Sequence, residues 1–207
     1  SAPDYDSPGD TGTNNVYDFT AAISDGTNTG STLTYQVTVT DLNDQTPTYS
    51  SSDTTPSISE GTTAVETLTV TDTDSADANA CTLAGSDFAS FTCTVSGDSV
   101  ALAFSSGNVP DFENPGSADA DNDYSVTVTI SDGTNTGATI AYTVTVVDAN
   151  DQTPSYSAGG LTPSLAEGTT AVDSFTVTDT DTGDSNSCAL GGDDASDFTC
   201  TVSGDSI

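Results

Sequence analysis

An all-β chain of tandem seven-stranded antiparallel Greek-key β-sandwiches is what this sequence predicts, and three observations carry that reading. Large apolar residues alternate with Thr, Ser or Ala along several runs, the pattern of half-buried strands. Gly, Pro, Asp and Asn punctuate the runs, and no segment has helical periodicity. Finally, every recognisable stretch returns 107 residues later without insertion, which marks one folding unit used repeatedly.

The repeat is plainest in Asp41-Leu-Asn43-Asp44-Gln-Thr-Pro47 and Asp148-Ala-Asn150-Asp151-Gln-Thr-Pro154. Ser24 to Gly30 returns as Ser131 to Gly137, and residues 69–74 and 91–99 return as 176–181 and 198–206. Pro3-Asp4-Tyr5 matches Pro110-Asp111-Phe112, while Ile207 matches Val100. Residues 1–47 are therefore expected to be the second half of a unit, 48–154 a whole unit and 155–207 the first half of the next. Two periods exceed the chain by the seven positions matching 101–107. That near-match leads to the expectation that Ile207 lies close to Ser1 of an adjoining copy in a head-to-tail filament. Either a continuous longer chain or strand complementation between subunits would give this geometry.

Within the whole unit, strands are expected at 63–71, 81–84, 91–95, 100–104, 124–131 and 139–147, with a short one near Tyr49. Tyr124, Val126, Val128 and Ile130 alternate with Ser and Thr, and so do Ile140, Tyr142, Val144 and Val146 with Ala and Thr. The same pattern runs through Tyr17, Phe19, Ala21 and Ile23 and through Leu33, Tyr35, Val37 and Val39. Ser131-Asp-Gly-Thr-Asn-Thr-Gly137 joins two such strands, and its Gly and Asn residues suit the positive φ angles of a tight hairpin.

The hydrophobic fraction is 33%, low enough to raise disorder as an alternative; the strict alternation argues against it. The chain has 32 acidic residues and no Lys, Arg or His, for a formal charge of -32. Positive charge must come from outside the sequence. So acidic a surface repels phosphates, which makes nucleic acid and anionic lipid poor candidates for partners. The usual general bases, Schiff-base amines and oxyanion clamps are missing as well, so no enzyme is expected. No apolar run is long enough to span a bilayer, and no signal peptide or initiator Met is present. An interior stretch of an extracellular or cell-surface protein is the expectation.

The cysteines fall as Cys81 with Cys93 and, one period later, Cys188 with Cys200. This reads as one disulfide per unit. The alternative, a metal or redox thiol site, normally needs a closer pair or a nearby His.

The acidic residues recur in fixed order. Glu60 stands early in the whole unit, followed by Asp72-Thr-Asp74 with Asn79, Pro-Asp111-Phe-Glu113, and Asp148-Ala-Asn150-Asp151-Gln-Thr-Pro154. In these elements the chain resembles tandem cadherin-type extracellular repeats, which are Ig-like sandwiches, over essentially its whole length. The resemblance implies calcium ions between successive units. Glu60, Asp111, Glu113, Asp148 and Asp151 would meet Asp179 and Asp181 of the following unit, with Asn150 and Asn186 adding carbonyl oxygens. At the earlier seam the corresponding residues are Asp4, Asp41, Asp44, Asp72 and Asp74, with Asn43 and Asn79. There Asp6 replaces the longer Glu113, so full occupancy is in question. Glu167 would serve a seam beyond Ile207. Calcium takes six to eight oxygen ligands, mostly carboxylate and carbonyl, and like charges so crowded need a cation.

Three lookalikes are set aside. Asp181-Thr-Gly183 spells a protease triplet, but its counterpart begins Asp74-Ser. Asp119-Ala-Asp121-Asn-Asp123 opens like a calcium loop, yet Tyr124 stands where Gly is required. Gly97-Asp-Ser99, repeated at 204–206, suits a turn, since no His is present to activate Ser.

The resulting expectation is a structural extracellular protein, a calcium-stiffened stalk, surface fibre or head-to-tail filament whose neighbours are copies of itself. The alternative is an adhesion module binding a cell-surface protein or glycan, which calls for an exposed aromatic or apolar patch.

Overall fold

The computed structural model describes residues 2–74, 78–157, 161–183 and 185–203. The expected approach of Ser1 to Ile207 and the turn at 204–206 lie outside the described residues. β1 (Val16–Ala21) and β2 (Leu33–Thr38) form an antiparallel pair. Then follow β3 (Ser57–Ser59), β4 (Ala64–Thr69), β5 (Ala80–Ala84), β6 (Phe91–Ser96), β7 (Ser99–Phe104), β8 (Asp123–Ser131) and β9 (Ile140–Val147). β10 (Ser155–Ser157) and β11 (Thr176–Thr178) pair with each other.

β3 to β9 make the sandwich. One sheet has the order β3-β9-β8-β5 and the other β4-β7-β6. Leu68, Val100, Leu102, Phe104, Tyr124, Val126, Val128, Ile130, Tyr142, Val144 and Val146 are buried between them. They occupy alternate positions, because successive strand side chains point to opposite faces. Phe104 packs edge-on against Tyr124 with ring centroids 4.9 Å apart. The outward face of β4, β7 and β6 carries Thr67, Thr92, Thr94, Ala101 and Ala103 in its place.

Six strand positions agree with expectation to within two residues; the seventh does not. Near Tyr49 there is only a single bridge, Thr48 to Thr71. The seventh strand is Ser57–Ser59, running parallel to β9, so the sandwich is not wholly antiparallel. Its neighbours Thr54 and Pro56 accept from the Thr143 and Thr145 amides at 3.0 Å each. Such an edge strand is held by backbone bonds and needs one apolar side chain, Ile58, which periodicity cannot register. Two single 3-10 turns, Phe88–Ser90 and Ala195–Asp197, were not foreseen.

Both disulfides form, Cys81 to Cys93 and Cys188 to Cys200, with Cα atoms 6.1 and 6.2 Å apart. The first ties β5 to β6 and hence one sheet to the other. Closing that loop contributes about 2–4 kcal/mol.

The 131–137 hairpin forms as expected, with the Gly137 amide donating to the Ile130 carbonyl at 2.9 Å and Gly133 at φ 97°. Asn135 has no positive φ. Gly137 lets the chain pass close by. A Cβ there would lie 2.6 Å from the Tyr49 ring and 2.7 Å from the Pro47 carbonyl.

Outside the sandwich the apolar faces are open. Phe19 is 51% exposed and Tyr35 43%, whereas their counterparts Val126 and Tyr142 are 1% and 2% exposed. No described helix is long and apolar enough to cross a membrane.

Candidate metal centres at the junctions

The junction segment 41–47 is seated on the sandwich that follows it. Pro47 is fully buried, the Thr48 and Thr71 backbones exchange hydrogen bonds, and the Tyr49 hydroxyl accepts from the Ile130 amide at 2.9 Å. The Gln45 amide donates to Asp74 Oδ2 at 2.9 Å, and the Asp74 amide to Asp72 Oδ1 at 3.2 Å. This seating presents carboxylates from three separate stretches to one another. Oxygens of Asp6, Asp41 and Asp74 lie within 4.8 Å of each other, and so do oxygens of Asp72, Asp74 and Asp132.

The second junction repeats the arrangement. Glu60, Asp111 and Glu113 form one such group and Glu113, Asp148 and Asp181 another. Glu60 is held by the Phe112 and Ala149 amides, each donating at 2.8 Å. The Gln152 amide donates to Asp181 Oδ2 at 2.9 Å, as Gln45 does to Asp74. The Thr182 amide and hydroxyl both donate to Asp148. Asp6, Asp41 and Asp74 are the 107-residue counterparts of Glu113, Asp148 and Asp181. Despite its shorter side chain, Asp6 reaches its group.

Asp74 is 6% and Asp181 7% exposed, and Oδ1 of each is buried without a hydrogen-bond partner among the described residues. The same holds for Asp72 Oδ2, Asp148 Oδ1, Asn79 Oδ1 and both carboxylate oxygens of Glu113. Buried acceptors left without a donor are costly. Burial first, and then the neighbouring carboxylates, push the carboxyls of Asp6, Asp74, Glu113 and Asp181 above the ordinary range. Asp148 is held below it by the Thr182 side chain and backbone.

Other expected ligands sit around these groups. Asp4 accepts from the Asp6 and Ser7 amides, and Asp44 and Asp151 each hold the next Gln side chain at 2.8 Å. Their charges still reach Asp6 and Asp181 respectively. Asp179 Oδ1 accepts from the Asp181 amide at 3.4 Å. Asn150 is exposed and Asn186 half-buried. Asn79 donates to the Gly97 carbonyl at 3.4 Å, and Asn43 engages the hairpin. The loop acids Asp119, Asp121 and Asp123 form no three-acid group.

Asp132 escaped the sequence reading. It is 2% exposed and lies in the first junction. Burial raises its carboxyl, but donors from Asn135, Thr134 and Asn43 outweigh that and hold it below the ordinary range. The signal was available, since Asp132 repeats Asp25 at the same spacing.

The donor sets fit calcium. They contain only oxygen, carboxylates outnumber all other donors, and several of those oxygens are buried with no donor to meet them, the environment of a hard cation with many oxygen ligands.

No family model matches the chain, and no curated protein matches it in sequence. Solved structures do. The protocadherin gammaB7 EC3-6 cis-dimer structure is similar at a TM-score of 0.56 and 22% identity, covering 88% of this chain and 42% of that one. The protocadherin gammaB4 extracellular domain is similar at 0.53 and 21%, covering 87% and 28%. Human CDH23 EC21-23 is similar at 0.51 and 21%, covering 82% and 55%. The chain thus spans well under two thirds of the length of each. Sandwich, strand order and repeat arrangement together give this chain the fold of tandem cadherin ectodomain repeats.

Proposed function

We propose that this chain is a calcium-stiffened stretch of an extracellular repeat protein, a stalk or surface fibre in which residues 48–154 form a whole repeat, with parts of two others at 1–47 and 155–207. The observation that carries this reading is the position of Glu113, Asp148 and Asp181. Carboxylates from two successive repeats converge there, with buried oxygens that no described donor satisfies. A cation at that point joins the repeats, so an array of them becomes a rod whose reach grows with repeat number. The other expected ligands, including Asp4, Asp44, Asn150, Asp151, Asp179 and Asn186, complete the ligand sphere in this reading. The two disulfides support an oxidising, extracellular compartment. Further copies in line are the partners a filament requires. Adhesion to a cell-surface protein or glycan is the second reading; the exposed Phe19, Leu33 and Tyr35 do not favour it, since their counterparts Val126, Ile140 and Tyr142 belong to the core of the whole unit.

Small-angle X-ray scattering of the chain in calcium and in chelator tests the reading. The maximum dimension should be longer and more sharply defined in calcium. Identical profiles would remove the calcium-stiffened rod.

A further inference from the structure

The 131–137 hairpin and the first junction are clasped by one side chain. The two amide hydrogens of Asn135 reach Asn43 Oδ1 at 2.8 Å and Asp132 Oδ2 at 3.2 Å. Asn43 returns a bond from Nδ2 to the Asp132 carbonyl at 3.4 Å. Asp132 Oδ1 is fixed by the Thr134 and Asn135 amides at 2.7 and 2.6 Å. The carboxylate so held faces Asp72 and Asp74, whose Oδ2 and Oδ1 atoms are buried without a partner among the described residues.

The counterpart hairpin repeats the local bonds. Asp25 Oδ1 accepts from the Thr27 and Asn28 amides at 2.9 and 2.7 Å, so the turn forms in the same way. There the Asn28 side chain reaches Asp25 at 3.5 Å, and the position that would match Asn43 falls outside this sequence. The backbone bonds that close the turn are thus distinct from the side-chain bonds by which Asn135 reaches Asn43 and Asp132.

We propose that Asn135 is a positioning residue for the cation between Asp72, Asp74 and Asp132. It aims Asp132 into the group and clasps Asn43 beside it, so that the half-site is assembled before the ion arrives. This rests on the calcium reading above. Partners that orient ligands typically contribute about ten- to a hundred-fold in metal affinity.

Calcium titration calorimetry of the whole 207-residue chain, stripped with chelator, is the test. Asn135→Ala should weaken one class of ion by about ten- to a hundred-fold and leave the others unmoved. Asn135→Gln, which keeps the amide, should restore most of that loss, and Asn28→Ala should superimpose on the parent. An Asn135→Ala titration identical to the parent, or one in which every class weakens equally, would overturn the proposal. So would an Asn135→Ala chain that melts well below the parent in excess chelator, since the role would then be folding. A parent chain that takes up no calcium would fail differently, removing the site itself.

Discussion

Glu113 and Asp181 bring their carboxylates within 4.8 Å of each other from opposite sides of the second junction, and both are pushed toward the neutral form. Asp181 is buried and Glu113 half-buried beside further acids, so the metal-free junction is a point of mutual repulsion. Replacing one of the two separates repulsion from ligation. Glu113→Gln should raise the melting temperature in chelator and reduce the rise that calcium brings. A variant that shifts both in the same direction would count against the assignment.

Acidity should act on the metal-free chain in two stages. The carboxyls of Asp6, Asp74, Glu113 and Asp181 lie above their unfolded values of 3.8 for Asp and 4.5 for Glu. Their contribution is therefore present below those values and is lost as pH rises through the folded ones. Asp10, Glu66, Asp87 and Asp132 are shifted downward, so their contribution fails as pH falls through the folded values. Melting in chelator should thus peak at mildly acidic pH and decline on both sides. Calcium should flatten the neutral side. A chelated chain most stable at neutral pH would contradict this.

The bridge between the two sheets should be measurable by itself. Replacing Cys81 and Cys93 together by Ser should lower unfolding free energy by about 2–4 kcal/mol without changing the number of calcium ions bound. Denaturant melts and calorimetry give the two readings, and a loss of calcium stoichiometry would contradict the separation of roles.

Gly137→Ala probes the seating of the junction. The added methyl would meet the Tyr49 ring at 2.6 Å and the Pro47 carbonyl at 2.7 Å, forcing the junction off the hairpin. A loss of about 1–3 kcal/mol with weakened binding at the Asp72, Asp74 and Asp132 group is expected. Gly26→Ala, placed in open space at positive φ in the other hairpin, should leave calcium binding at that group alone. Equal effects of the two on binding would undo the argument.

Much of this architecture was legible because burial here is one-sided. Tyr124, Val126, Val128 and Ile130 could be assigned to the core from alternation alone, as could the pairing of Cys81 with Cys93 from its return at Cys188 and Cys200. Ser57–Ser59 was not legible, since backbone bonds to β9 hold it and backbones carry no pattern. Asp132 was hidden because Asp-Gly already explains a turn, and a residue with one sufficient role draws no second. That Glu113 would face Asp148 and Asp181 came from family resemblance, not from spacing. Asp44 and Asp151 match the motif in sequence, and in the structure each also holds the neighbouring Gln side chain.

Pulled from its two ends, a chain of this kind does not yield its whole length. The Cys81–Cys93 bond spans 12 positions, and tension travels through the sulfurs instead of the backbone between them. An extended residue spans about 3.3–3.6 Å and the bridge itself 6.1 Å between Cα atoms, so each repeat that gives way under load releases about 35 Å less than its residue count implies. Reducing conditions would return that slack, making extensibility a readout of the redox state around the chain.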